Sequence, residues 1–94
     1  MTYRLLQTKD MKRYSFMGYD YAKAHGLSLD DYQTVYEGDD PCTTTIDAFL
    51  EGLFTKFNLH KPEDFRGHSM SVSDIVEVDG KMYYCDSVGF TEMK

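Results

Sequence analysis

The chain has 94 residues, of which 41% are hydrophobic and 15% aromatic, and its formal net charge is −6. This length predicts a single domain over 1–94 with a thin core, and the ordinary apolar share argues against wholesale disorder. The acidic balance makes nucleic acid an unlikely main partner, because phosphate binding depends on Lys and Arg.

The N-terminal part of the chain predicts two extended pieces and a short helix. Residues 3–7 form a weakly patterned strand, and residues 14–17 alternate enough to predict a second extended piece. Residues 19–25 predict a short helix, because alanines favour helix and Gly26 suits a left-handed C-terminal cap. Leu27 is then expected to pack back on the last helical turn.

A further strand is predicted over 32–37, which is rich in β-branched and aromatic residues and is followed by Gly-Asp-Asp-Pro. Strict alternation places Tyr32, Thr34 and Tyr36 on one face of this strand. Gln33, Val35 and Glu37 are expected on the opposite face.

The main amphipathic helix is predicted over about 44–57. Its apolar residues recur at three- and four-residue steps and form one wide stripe: Ile46, Phe49, Leu50, Leu53, Phe54 and Phe57. Thr44 and Asp47 resemble a capping box at its start. Gly52 lowers the stability of the helix by about 1 kcal/mol relative to alanine. A glycine kept at this cost predicts that a strand approaches the helix closely there. Because the stripe needs a partner, the helix is expected to lie across a sheet.

A β-hairpin is predicted around the Asp-Gly pair at 79–80, a strong two-residue turn signal. This turn pairs Val76 with Tyr83 and Ile75 with Tyr84, and both faces of the hairpin are then largely apolar. The hairpin is therefore expected to be covered on both sides. The predicted fold class is α+β, with a small, mainly antiparallel sheet, one main helix and one short helix.

Four residues have the side-chain types of a nucleophilic catalytic site: His68, Ser69, Asp74 and Asp86. In the predicted hairpin register the two aspartates point to opposite faces, and no G-x-S-x-G elbow or phosphate-binding glycine loop is present. Because a catalytic site requires convergent geometry, we predict no catalytic residues and no enzymatic activity. The alternative of a small enzyme uses His68 as its acid or base, since an imidazole titrates near neutrality.

No metal or cofactor is predicted either. Cys42 and Cys85 lie far apart, and the three histidines, at positions 25, 60 and 68, stand at no recognised ligand spacing from them. Both cysteines are expected to be free thiols of a reducing compartment. No apolar run is long enough for a signal peptide or a membrane span, which predicts a cytoplasmic protein without a membrane partner.

Residues 26–50 carry six carboxylates and no Lys or Arg, and this acidic stretch suggests an alternative function. A DNA mimic of the anti-restriction or anti-nuclease type would present these carboxylates as one continuous ridge. In an extended chain they average roughly one charge per 9–10 Å, whereas duplex DNA carries one per roughly 1.7 Å. A solvated acidic edge that opposes sheet-to-sheet aggregation is the commoner explanation.

Two runs in the last third of the chain carry a family resemblance. Residues 62–76, PEDFRGHSMSVSDIV, resemble the pattern P-x-D-[FY]-x-G-[HR]-S-[LM]-S-V-[GS]-D-[IV]-V of YodL-like domains, and residues 84–90 match the closing Y-x-D-S-x-G-F. Residues 3–7 and 32–38 fit the opening and central strands of that family. Ser73 stands where the family more commonly has glycine, a difference that concerns the local backbone conformation.

The resemblance implies a bacterial setting in Firmicutes, often on conjugative elements or phages, and no established activity, cofactor or catalytic residue. We therefore predict a non-enzymatic interaction module that binds an unidentified bacterial protein and modulates a host protein or a counter-defence process. The predicted surface combines the 66–71 loop with the 86–90 corner, at the open end of the hairpin. Its candidate interaction residues are Arg66, His68, Ser69, Ser71, Asp86, Ser87 and Phe90. The sequence leaves the oligomeric state open.

Overall fold

The fold is given by a computed structural model that describes residues 1–9, 15–41, 44–59, 63, 65, 67, 70–87 and 89–93. Within these residues the elements are β1 (Thr2–Thr8), α1 (Tyr19–Ala24), a 3-10 turn (Leu29–Asp31), β2 (Tyr32–Asp39), α2 (Ile46–Leu59), β3 (Ile75–Val78), β4 (Lys81–Cys85) and β5 (Phe90–Glu92). The strands form an antiparallel sheet in the order β2-β1-β3-β4-β5. The predicted α+β class is confirmed.

β1 lies inside the sheet, because it pairs with β2 on one side and with β3 on the other. Tyr3 and Leu5 point to one face and belong to the hydrophobic cluster that α2 completes. Leu6 points to the other face and packs in a second cluster with Tyr19 and Ala22 of α1. The sheet is therefore a middle layer between α2 and α1.

The β3–β4 hairpin has the register that its turn predicts. Ile75 pairs with Tyr84, and Val76 pairs with Tyr83. Both residues of the turn at 79–80 have positive φ, +52° and +78°, as a type I′ hairpin turn requires. Ile75 belongs to the α1 cluster and Val76 to the α2 cluster, and both are fully buried. The prediction that this hairpin is covered on both sides is confirmed.

α2 is the predicted main helix, displaced by two residues toward the C-terminus. Its start is capped by Thr45 and not by Thr44, because the Thr45 Oγ1 accepts a hydrogen bond from the backbone N–H of Ala48 at 3.2 Å. The apolar stripe faces the sheet as predicted, and its buried residues are Phe49, Leu50, Leu53 and Phe57. No helix in the described part of the chain combines the length and the apolar character needed to cross a membrane.

The predicted close approach of a strand to Gly52 is wrong, since a Cβ atom there would meet no other atom within 4 Å. Gly52→Ala is therefore expected to raise the free energy of unfolding by about 1 kcal/mol, because alanine has the higher helix propensity. Urea unfolding of the two proteins measures the change. The matched control is Ala48→Gly, an exposed position one turn earlier that is expected to lose a similar amount. A lower unfolding midpoint for Gly52→Ala would contradict the open surroundings.

β2 contains a β-bulge that changes which side chains share a face. The register with β1 shifts so that Val35 has no partner. Tyr36 packs with the α2 cluster, whereas Tyr32 lies in the α1 cluster. The prediction that Tyr32, Thr34 and Tyr36 share one face is therefore wrong, because an inserted residue breaks strict alternation.

α1 ends at the predicted left-handed cap. Gly26 has a φ of +87°, and the Leu27 N–H donates to the Ala22 carbonyl at 3.0 Å, which is the 6→1 bond of a Schellman motif. Leu27 packs against the cluster that contains Ala22, as expected.

The segment before α1 differs from the extended piece predicted over 14–17. Ser15 and Phe16 form a turn, in which Phe16 has a φ of +66°, while residue 14 lies outside the described residues. Ser15 is buried and Phe16 is exposed, so the apolar side chain at 16 does not face a core as one on a strand would.

Candidate functional site

The predicted interaction surface is only partly described by the structure. Arg66, His68 and Ser69 lie outside the described residues. The other four predicted residues are Ser71, Asp86, Ser87 and Phe90. They lie in the turn that leads into β3 and in the corner between β4 and β5, and hydrogen bonds between the turn and the end of β4 bring these segments together.

A tight turn at 71–74 leads into β3. The Asp74 N–H donates to the Ser71 carbonyl at 3.1 Å, and Ser73 has a φ of +87°, as the third position of a type II turn requires. The Ser73 N–H donates to the Cys85 carbonyl at 2.9 Å, and the Cys85 N–H donates to the Asp74 carbonyl at 2.8 Å. Ser73 and Asp74 thus both lie opposite Cys85, which makes a G1-type bulge with serine at the position usually held by glycine. The predicted hairpin register ends at this bulge.

Two substitutions of Ser73 separate the effect of this φ from the effect of its side chain. The Ser73 Oγ accepts a hydrogen bond from the Phe16 N–H at 3.2 Å, and both Ser73→Ala and Ser73→Gly remove that bond. Only glycine also removes the steric cost of a positive φ. We expect Ser73→Gly to be more stable than Ser73→Ala by about 1 kcal/mol in urea unfolding. Equal stabilities would contradict a strained backbone at this residue.

Asp74 fixes the turn to the centre of the sheet. Its carboxylate is buried, and Oδ2 accepts hydrogen bonds from the Gln7 Nε2 at 2.9 Å and from the Ser71 N–H at 3.0 Å. The Ser71 Oγ is also buried and has no hydrogen-bond partner among the described residues. The Asp74 carboxylate therefore holds the backbone of the turn, while the Ser71 hydroxyl does not contribute to this network.

Asp86 connects the corner to α1. Its Oδ1 accepts hydrogen bonds from the Tyr19 N–H at 3.2 Å and the Ser87 N–H at 2.8 Å, and its Oδ2 accepts one from the Thr91 hydroxyl at 2.7 Å. Gly18, the N-cap residue, has no side chain, and a Cβ there would lie only 2.9 Å from Asp86 Oδ1. Asp86 therefore supplies the cap that α1 lacks in its own sequence.

These hydrogen bonds make the contribution of Asp86 to the free energy of unfolding depend on pH. Burial alone would raise the pKa of Asp86, but the hydrogen bonds from Thr91, Ser87 and Tyr19 outweigh it and hold the pKa below its ordinary value. The stabilisation is therefore complete above the unfolded pKa of about 4 and is lost as the pH falls through the lower folded value.

Asp86→Asn is expected to lower the free energy of unfolding by about 1 kcal/mol at neutral pH, because asparagine keeps only one of the two acceptor oxygens. The difference from the wild type should shrink as the pH falls below about 4. Urea unfolding across this range measures it, with Asp79→Asn, an exposed carboxyl of the hairpin turn, as the matched control. A difference that stays constant with pH would contradict the ionised cap.

A groove of about 230 Å³ separates the corner from α2. Its lining includes Glu51, Phe54, Val72, Asp86, Ser87 and Phe90. A second hollow of about 270 Å³ continues it and adds Asp47. Three of the predicted interaction residues thus line one surface, on which apolar rings lie beside carboxylates.

The sequence prediction missed the contribution of α2 to this surface. Glu51 and Phe54 read as ordinary positions of an amphipathic helix, and only the structure places them opposite the corner. One signal was available, because Asp47 and Glu51 are four residues apart on a helix. Like charges at that spacing repel by a few tenths of a kcal/mol, but Asp47 also lies in the first turn, where a carboxylate stabilises the helix. The spacing therefore marks an acidic face of the helix and nothing more specific.

Cys85 lies at the base of the groove and is chemically inert there. Burial, together with the negative charges of Asp74, Glu51 and Asp86, raises the pKa of its thiol to about 12. The thiol therefore stays protonated at neutral pH, and the thiolate that nucleophilic attack or metal binding requires does not form. Cys42 lies outside the described residues, and no cluster of His, Cys, Asp or Glu within the described residues is arranged to hold a metal.

A polar cluster of Tyr3, Asp40 and Lys56 lies on the other flank of α2. The Lys56 ammonium is 2.9 Å from Asp40 Oδ2 and 3.4 Å from the Tyr3 hydroxyl. Burial raises the pKa of Tyr3 to about 12, so its hydroxyl stays protonated. Within the acidic stretch, Asp40 is thus paired with Lys56, and Asp39 is paired with the N-terminal ammonium at 2.9 Å. The six carboxylates are distributed over the 3-10 turn, β2, the following loop and α2.

Comparisons with known proteins give a family and one distant relative. A family sequence model described as YodL-like domain matches residues 2–94. An uncharacterized protein of Acanthamoeba polyphaga mimivirus is 37% identical over 71 residues, which cover 63% of this chain and 66% of the viral protein. The chain thus spans slightly less than two thirds of the length of that relative. No solved structure matches.

Proposed function

The chain belongs to the YodL-like domain family, and we propose that it is a non-enzymatic interaction module that binds a bacterial protein. In this proposal it serves a mobile element by modulating a host protein or a counter-defence process. The binding surface is the groove between α2 and the 86–90 corner, extended by the 66–71 loop. The observation that carries the proposal is the convergence of Asp86, Ser87 and Phe90 with α2 on one half-apolar groove.

The state of the polar groups around the groove supports binding over catalysis. The Cys85 thiol is held protonated, the Asp86 carboxylate accepts three hydrogen bonds from its own chain, and Asp74 is buried against Gln7. A catalytic base or nucleophile needs a reactive lone pair directed at the substrate. The two aspartates have theirs directed at hydrogen-bond donors of the protein itself, and Cys85 is held as the weakly nucleophilic thiol.

The apolar part of the groove supports a protein as the ligand. Aromatic residues are enriched at protein interfaces, and the partly buried rings of Phe54 and Phe90 line the same surface. The similar mimivirus protein is encoded by a virus, which supports a domain used by genomes that depend on a host.

A matched pair of lysine substitutions tests the surface. Ser87→Lys places a long cation in the groove, while Gln33→Lys places the same side chain on β2 at the opposite edge of the sheet, and both positions are exposed. We expect Gln33→Lys to capture the same bacterial protein as the wild type, and Ser87→Lys to lose it. Arg66→Glu tests the loop half of the surface in the same assay.

The measurement is affinity capture from a lysate of the bacterium that carries the gene, with quantitative mass spectrometry of the captured proteins. Far-ultraviolet circular dichroism of each variant establishes that the fold is retained. Capture that is lost equally in both lysine variants, or in neither, would place the interface elsewhere.

A further inference from the structure

We propose that the groove binds an extended, cationic segment of the partner, which adds as a further strand beside β5. This inference rests on the proposed function and specifies the chemistry of the ligand. It combines three features of the same surface: the outer edge of the last strand in the described sheet, a set of carboxylates that form no ion pair with a described Lys or Arg, and two aromatic rings.

β5 is the last strand of the sheet and offers its outer edge for pairing. Hydrogen bonds from Asp86 N–H to the Gly89 carbonyl at 2.9 Å, and from Met93 N–H to the Met82 carbonyl at 2.8 Å, fix the phase of the β4–β5 ladder. Antiparallel ladders alternate, so the backbone N–H and C=O groups of Phe90 and Glu92 point away from β4. An extended peptide can bind these groups by strand addition.

Among the residues that the structure describes, the carboxylates beside this edge form no ion pair with Lys or Arg. Asp47 and Glu51 project from α2, Asp86 lies at the corner, and no Lys or Arg among the described residues forms an ion pair with them. Elsewhere on the sheet, Glu77 is paired with Arg4, and Asp40 is paired with Lys56. The groove therefore complements a positively charged ligand and repels nucleic acid and acidic peptides.

The aromatic rings and Glu51 define which side chains of the ligand point toward α2. In a strand, side chains two residues apart point to the same face, about 6–7 Å from one another. A segment beside β5 would thus place alternate side chains toward α2. There an apolar side chain contacts the rings of Phe54 and Phe90, and a Lys or Arg lies near Glu51. The ligand we infer is an extended segment in which a basic and an apolar residue stand two positions apart, as in Lys-x-Val-x-Lys, so that both side chains reach the face toward α2.

The test is an NMR titration of the ¹⁵N-labelled full chain with the peptide acetyl-KTVTKT-amide, whose Lys and Val side chains share one face, with acetyl-ETVTET-amide as the charge-reversed control. We expect the largest amide shifts at Phe90, Glu92 and Glu51, and no binding of the acidic peptide. Removing one carboxylate in Glu51→Gln should weaken the basic peptide about threefold, and added salt should weaken it further.

A second pair of variants tests the backbone contribution separately. Glu92→Pro removes an outward N–H without removing a bond to β4, since proline is tolerated on an edge strand in that orientation. It should weaken the peptide about fivefold relative to Glu92→Gln, which makes the same change of charge. Equal affinity of the two variants, shifts that map elsewhere, or equal binding of both peptides would overturn the inference.

The two proposals fail in distinguishable ways. If Ser87→Lys abolishes partner capture but the basic peptide does not bind, the interaction surface stands and the inferred ligand chemistry is wrong. If the basic peptide binds at β5 but Ser87→Lys captures the partner normally, the strand-addition site exists and is not the interface of the captured protein.

Discussion

Phe57→Ala is expected to lower the free energy of unfolding by about 4 kcal/mol, the largest change foreseen for a single substitution in this chain. Phe57 is fully buried on the sheet-facing side of α2. Its ring centroid lies 4.9 Å from that of Phe65, 5.1 Å from that of Tyr36 and 6.4 Å from that of Tyr3. Alanine would leave a cavity between these three aromatic residues, which cannot collapse without moving β1 or β2.

Small domains of this kind have a total stability of about 5–15 kcal/mol, so this loss is expected to leave Phe57→Ala marginally folded. Thermal and urea unfolding of the purified proteins measure it. Leu59→Ala is the matched control, because Leu59 lies in the same helix and is 72% exposed. A loss below about 1 kcal/mol for Phe57→Ala would show that this aromatic cluster is not the centre of the core.

Asp74→Ala is expected to lower the free energy of unfolding by about 3 kcal/mol, because it removes the acceptor of two buried hydrogen bonds. The donors left behind are the Gln7 side-chain amide and the Ser71 N–H, and Gln7 is itself buried within β1. The variant also releases the 71–74 turn from β1, so the loss should extend to the groove that this turn borders.

Asp74→Asn is the informative comparison, since asparagine retains one oxygen that can accept from Gln7 or from the Ser71 N–H. We expect it to lose less than Asp74→Ala in the same unfolding experiment. A double-mutant cycle with Gln7→Ala measures the coupling, which should be about 1–2 kcal/mol for a hydrogen bond to a charged group. Additive losses in that cycle would contradict the contact.

The parts of the fold that follow from local sequence were predictable. The Asp-Gly pair requires positive φ at two consecutive residues, which few other sequences allow, so it fixed the hairpin register from Val78 back to Ile75. The wide apolar stripe of α2 requires a sheet beneath it, and Gly26 marked the end of α1. In each case one strong local requirement agrees with the tertiary structure.

The features that depend on contacts distant in sequence were not predictable. The bulge at Val35 arises from the pairing of β2 with β1, and no turn residue marks it in the sequence. The left-handed conformation of Ser73 is imposed by β4 and by the carboxylate of Asp74, although serine does not favour it. Propensity and periodicity report only on neighbours along the chain.

One part of the candidate site was predictable from local sequence and another part was not. The corner at 86–90 was predicted from its position at the open end of the hairpin, but the role of Asp86 as a helix cap depends on α1, far earlier in the chain. Glu51 and Phe54 reach the groove only because of the angle at which α2 crosses the sheet. That angle is set by side-chain packing, which sequence periodicity does not specify.

The interior position of β1 has a consequence for the nascent chain. One of its neighbours, β3, is synthesised long after it, so a growing polypeptide carries β1 with one edge bare until Ile75–Val78 has been made. At about 5–20 residues per second this interval lasts several seconds. Ribosome-bound intermediates should therefore depend on chaperones that shield an exposed edge, and protection from proteolysis should arise abruptly once β3 has emerged.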